Sequence, residues 1–131
     1  MDAEELVHGD ASAATILVID DSQTVRRSAE TLLAEGGYTV LTAVDGFDAL
    51  AKVVDHHPRL VLVDAMMPRL DGFQTCTLIR NNPVYDDVAL VMLTSKDGLF
   101  DRARAQVAGA DRYLVKPFTR EALLDVVAAL V

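Results

Sequence analysis

The feature that most constrains this fold is an alternation. Five short apolar runs recur along the chain, TILVI (15–19), YTVLTA (38–43), LVLV (60–63), VALVML (88–93) and YLV (113–115), each followed by a longer segment with helical spacing. Short runs that are apolar throughout suit strands covered on both faces. After the first run Val25, Ala29, Leu32 and Leu33 recur at helical spacing, and after the second Ala49, Leu50, Val53 and Val54 do the same. Leu99, Ala103 and Val107 repeat the pattern after the fourth, and Leu123, Val127 and Leu130 after the fifth. Each set is expected on the buried face of its helix. Gly36-Gly37, His57-Pro58, Asn82-Pro83 and Gly109 read as stops ahead of the next strand. Such strand–helix units predict an α/β fold: a doubly wound (βα)5 domain with a five-stranded parallel sheet and helices on both faces. A chain of 131 residues holds one such domain, expected over 15–131, and no second.

Residues 1–14 fall outside the alternation. Asp2, Glu4, Glu5 and Asp10 give this stretch a charge of −4 with no Lys or Arg, half of the formal net charge of −8. It reads as a flexible acidic tail, with a short extra helix as the competing reading. It has neither the basic start nor the apolar centre of a secretory signal. No apolar run approaches the roughly 18–20 residues that cross a bilayer, so membrane insertion is not expected. An acidic surface repels phosphate backbones, so no nucleic-acid partner is expected either. The single cysteine, Cys76, cannot close an internal disulfide, which fits a reducing compartment and a cytoplasmic location.

In open α/β sheets ligands bind outside the carboxyl ends of the strands, where strand order reverses. Strand 1 ends in Asp20-Asp21, strand 3 in Asp64, strand 4 in Thr94-Ser95 and strand 5 in Lys116-Pro117. Ala43-Val44-Asp45 after strand 2 reads as an ordinary helix entry. Taken singly, each residue has an ordinary role: a helix cap for Asp20-Asp21-Ser22, a turn for Asp64, a strand end for Thr94, a solvated cation for Lys116. Those roles are unrelated, whereas five such residues at the ends of four strands point to one site. Carboxylates about 5 Å apart repel by roughly 3 kcal/mol per pair at an effective dielectric near 20, so the cluster needs a cation. Lys116 can neutralise one charge and Mg²⁺, a hard ion with oxygen ligands, the rest. A carboxylate nucleophile, a Mg²⁺, a lysine and a hydroxyl are the parts needed to receive a phosphoryl group. Asp20→Asn is accordingly expected to stabilise the metal-free fold by relieving repulsion.

The stretches VIDDS, LVDAMMPRLDG, MLTSKD and YLVKPF, in that order and at that spacing over about residues 14–131, make the chain similar to response-regulator receiver domains. These are the phosphoacceptor half of two-component signalling. GFDALAK, MMPRLDGFQTC, IRNNP and TSKDGLFD further resemble the PilG-type receivers of type IV pilus (twitching) chemosensory systems. The resemblance implies a flavodoxin-like strand order 2-1-3-4-5 and a signalling switch rather than an enzyme. Asp64 would take the phosphoryl group from a phosphohistidine of a chemosensory-type sensor histidine kinase. Asp21 and Asp64 would ligate Mg²⁺ directly, Asp20 through water, and Met66 through its main-chain carbonyl. Lys116 would pair with the phosphoryl oxygens and Thr94 would hydrogen-bond them, with the Lys116-Pro117 bond cis. The residue matching Tyr113 turns inward as the threonine moves, altering the surface of helix 4, strand 5 and helix 5. There a downstream pilus-regulating protein would dock.

Other readings stay open from sequence. Tyr113 also fits a static, half-buried strand aromatic, and KDGLFDRARAQVAGA fits either a docking face around Phe100, Asp101, Arg102 and Arg104 or an ordinary solvated helix. A receiver that only docks partners would carry the same motifs. A haloacid-dehalogenase-type phosphatase would need Asp-x-Asp after strand 1, where this chain has Asp20-Asp21-Ser22. A flavin mononucleotide binder would need a phosphate-cradling loop where two acids stand. Cys76 reads as core, His56-His57 as the end of helix 2, and Asp71-Gly72 as a turn into helix 3.

Overall fold

The computed structural model describes residues 14–95 and 99–131. The acidic segment ahead of Ala14 and the Phe100 side chain lie outside the described residues. Five strands, β1 (Thr15–Ile19), β2 (Thr39–Ala43), β3 (Leu60–Asp64), β4 (Ala89–Thr94) and β5 (Arg112–Val115), form one sheet. All pairings are parallel, in the order β2-β1-β3-β4-β5. Between them run α1 (Gln23–Glu35), α2 (Gly46–His56), α3 (Gly72–Arg80), α4 (Leu99–Val107) and, after β5, α5 (Arg120–Leu130), with a 3-10 turn at Pro83–Tyr85. The expected architecture and strand order are therefore the observed ones.

Every residue of β3 and β4 is buried, as unbroken apolar runs require. Alternate side chains supply two cores. Leu17, Ile19, Val61, Val63, Leu90 and Met92 pack with Ala49 and Val53 of α2, Cys76 and Ile79 of α3, and Ala105 and Ala108 of the α4 side. Ile16, Val18, Leu60, Leu62, Val91 and Leu93 pack with Ala29 and Leu33 of α1 and Leu123 and Val127 of α5. Cys76 is core, as read, and burial pushes its thiol up to about 12. Ser22, Asp45, Asp71 and Thr119 cap α1, α2, α3 and α5, each accepting a backbone N–H two or three residues into its helix. Such caps contribute about 1 kcal/mol apiece.

Two expected faces are corrected. Val54 does not join Ala49 and Val53 but stands 66% exposed. On α4 the stripe of Ala103 and Val107 faces outward, with Val107 88% exposed, while Ala105 and Ala108 are buried. This alanine-rich helix offers two apolar faces, and the one with only methyl groups lies closest to the sheet, where space is least. Sequence reading also passed over Arg80. Its guanidinium donates to the carbonyls of Tyr85, Val88 and Gly109 and to the Asp111 carboxylate, tying the end of α3 to the entries of β4 and β5.

Candidate functional site

The carboxyl ends of β1, β3 and β5 bring Asp20, Asp21, Asp64 and Lys116 together. One carboxylate oxygen from each aspartate lies within 4.8 Å of the other two. Asp20 is fully buried: its Oδ1 accepts the Ser22 N–H at 2.9 Å and its Oδ2 the Lys116 ammonium at 3.0 Å. Asp64 is nearly as buried, and both hydrogen bonds that the described residues make to its carboxylate fall on Oδ1, from Lys116 Nζ at 3.0 Å and the Met66 N–H at 3.4 Å. Asp21 is exposed. Burial raises the Asp64 carboxyl above the usual carboxylate range, aided by the Asp20 charge and opposed by the hydrogen bond from Lys116. Burial also opposes the charge on Lys116, yet its hydrogen bonds to Asp20 and Asp64 prevail and hold the ammonium above its ordinary value. Among the described residues three carboxylates meet one ammonium side chain here, and the Arg26 guanidinium donates to the Asp20 carbonyl at 2.6 Å, so negative charge is in excess within the cluster itself.

Both oxygens of Asp20 are thus engaged, so the relief of repulsion expected from Asp20→Asn does not follow. An amide there would turn an N–H toward the Lys116 ammonium or toward the Ser22 N–H. Neutralisation without loss of a partner belongs at Asp21. The cap reading of Asp20-Asp21-Ser22 resolves onto Ser22, whose hydroxyl accepts the Val25 N–H.

Thr94 is buried at the end of β4, beside Val115 of β5, and its carbonyl accepts the Lys116 N–H at 2.6 Å. It lines a hollow of about 490 Å³ together with Ala65, Met66, Ser95, Phe73, Asp101 and Arg104. The Met66 side chain is 70% exposed. The Lys116-Pro117 bond is cis. Tyr113 stands apart from the acid cluster, half-buried next to Met92, with the Arg102 guanidinium 5.0 Å from its ring centroid. From sequence Gly72 reads only as part of a turn, and the structure gives it a second duty. A Cβ there would lie 2.2 Å from the Asp64 carbonyl oxygen and 2.9 Å from Ala65 Cα, so glycine lets α3 start hard against the backbone that carries Asp64.

A parallel sheet of order 2-1-3-4-5 whose strand ends gather acids, a hydroxyl and a lysine defines the receiver class. The chain belongs to that family: the model for the response regulator receiver domain matches residues 16–128. It is 57% identical over 114 residues to Protein PilG of Pseudomonas aeruginosa, covering 87% of this chain and 84% of that protein. It is 43% identical over 115 residues to Response regulator MprA of Mycobacterium sp. (strain KMS), of which it spans 49%. Among solved structures, the chemotaxis protein CheY4 of Vibrio cholerae superposes with a TM-score of 0.87 at 32% identity, over 91% of this chain and 99% of that one. The chain is a receiver-domain response regulator, a signalling switch for which a sensor kinase is the implied partner. Among the described residues no helix is long and apolar enough to cross a membrane.

Proposed function

We propose that residues 15–131 form a phosphoacceptor unit in which Asp64 receives a phosphoryl group from a phosphohistidine of a chemosensory-type sensor kinase. The observation that carries this reading is the division of labour at Asp64. Both hydrogen bonds fall on Oδ1, which leaves Oδ2 as the nucleophile. Its attack forms a P–O bond as the P–N bond to the donor imidazole breaks, and the imidazole leaves with the electron pair. The Lys116 ammonium, already 3.0 Å from Asp64, follows the transferred oxygens, and the Thr94 hydroxyl donates to them from the end of β4.

A Mg²⁺ ion fits the donor set, since clustered carboxylate oxygens that outnumber the ammonium beside them suit a hard divalent cation. Asp20, Asp21, Asp64 and the Met66 carbonyl would hold it, and when bound it supplies neutralising charge for the phosphoryl oxygens. The phosphoryl group adds about −1.5 to −2 charges, drawing Thr94 and Lys116 toward it. Tyr113 then turns inward and the α4–β5–α5 surface changes, with Pro117 in the loop that follows Lys116. A switch from 1:99 to 99:1 asks about 5.5 kcal/mol of preference for the active arrangement. Likeness to PilG supports a cytoplasmic role in pilus-dependent twitching motility, with a pilus-regulating protein downstream.

Acetyl phosphate with Mg²⁺ should phosphorylate wild type and leave Asp64→Asn unmodified, read by intact mass. An unmodified wild type that keeps its fold would favour a receiver that works by docking alone.

A further inference from the structure

The Asp20-Asp21-Ser22 turn carries two of the three clustered acids, and the two are held very differently. Every polar atom of Asp20 is engaged. Its N–H donates to the Ala43 carbonyl at 3.3 Å, and its carbonyl accepts the Arg26 guanidinium at 2.6 Å. Its carboxylate accepts the Ser22 N–H and the Lys116 ammonium. Asp21 is exposed, and among the described residues no hydrogen bond reaches its carboxylate. What directs that carboxylate is the backbone that leads into it.

That backbone is gripped by one side chain. A peptide unit is planar from Cα to Cα, so the Asp20 carbonyl, the Asp21 N–H and the Asp21 Cα move as one piece. A guanidinium on the carbonyl fixes the tilt of this plane, and with it the direction in which the Asp21 side chain leaves the chain. Arg26 holds the far end of the turn as well, since its own N–H donates to the Ser22 carbonyl at 3.0 Å. Charge gives the opposite expectation. A cation bonded to the backbone of this turn lowers the affinity of the acids for a further cation. Placement and charge therefore predict changes of opposite sign when Arg26 is removed.

We propose that Arg26 is a positioning residue of the acid cluster. It orients the Asp20-Asp21 peptide so that the Asp21 carboxylate is preorganised, beside Asp20 and Asp64, to ligate a divalent cation. Arg26 contributes no ligand and acts through the Asp20 carbonyl. The inference deepens the phosphoacceptor reading and rests on its metal site.

The test uses the full chain and two variants that each remove one positive charge. Arg26→Met keeps a long unbranched stem and the helix propensity but loses the donor. Arg27→Met changes an exposed neighbour that, among the described residues, makes no hydrogen bond to Asp20. Both should keep the hydrogen-exchange protection of β3 and β4. In chelator, magnetisation transfer from water reads the Ser22 amide, which donates to Asp20. That amide should exchange about tenfold faster in Arg26→Met and as in wild type in Arg27→Met. Calorimetric titration with Mg²⁺ should show about tenfold weaker binding in Arg26→Met, and unchanged or tighter binding in Arg27→Met. Mg²⁺ held by Arg26→Met as tightly as by wild type, or more tightly, overturns the proposal, and so does an unchanged Ser22 amide. A wild type that takes up no Mg²⁺ overturns the metal site of the phosphoacceptor reading, whereas one that binds it alongside an indifferent Arg26→Met overturns this inference alone.

Discussion

Asp21→Asn should stabilise the metal-free protein and at the same time abolish its stabilisation by Mg²⁺. Asp21 contributes one exposed carboxylate within 4.8 Å of two others, and the Lys116 ammonium bonds those two, Asp20 and Asp64. Lys116 offsets about one of the two charges on Asp20 and Asp64, so about one like-charge pair remains for Asp21. At 4.8 Å such a pair costs about 0.9 kcal/mol at a dielectric of 80 and about 3.5 kcal/mol at 20. Exposure favours the lower figure. Loss of a negative charge ahead of α1 takes back about 0.3–1 kcal/mol. The net gain is at most about 0.6 kcal/mol, or about 2 °C in Tm for a domain of this size. Wild type, by contrast, gains about 1.4 kcal/mol at a Mg²⁺ concentration ten times its Kd. The order of the two melting curves should therefore invert as Mg²⁺ is added, which differential scanning fluorimetry with and without chelator reads directly. A variant less stable than wild type in chelator, or one that Mg²⁺ stabilises equally, would refute the shared-charge account of the pocket.

Two further outcomes follow from the same geometry. Gly72→Ala sets a methyl group against the Asp64 carbonyl in a central strand that cannot yield, at a cost of about 1–3 kcal/mol. Its Tm should fall and acetyl-phosphate labelling of Asp64 should slow, and a neutral result on both would remove glycine from the site. Lys116 is held above its ordinary value in the fold, so its contribution is complete below about pH 10.5 and is lost as pH climbs through the higher native value. The stability difference between wild type and Lys116→Met should therefore shrink above pH 10.5 in urea titrations; a constant difference would separate Lys116 from Asp20 and Asp64.

Much of this molecule was legible before any coordinates. The run TILVI matches β1 residue for residue, and LVLV stops one short of Asp64, the last residue of β3. Burial on both faces forces continuous apolarity, and that signal is local. The site was legible for a related reason: a parallel sheet sends every strand end to one edge, so the residues after each run could be gathered without measuring a distance.

What sequence periodicity could not supply was a choice between equivalent faces or a partner far along the chain. Helix α4 carries Ala103 and Val107 on one stripe and Ala105 on another, continued by Ala108 just past its end, and only the space between helix and sheet selects the second. The Arg80 fork joins carbonyls up to 29 residues away, and Lys116 reaches Asp20 across 96. Likewise the need for glycine at position 72 comes from the Asp64 backbone lying against it, a proximity that no local pattern encodes. The order of strands and helices, and the chemistry gathered at one edge, were written in the chain as periodicity and strand-end residues. Which acid is buried, which oxygen is left open and which face of α4 meets solvent were decided by close packing, since those depend on distances between segments that the chain brings together only on folding.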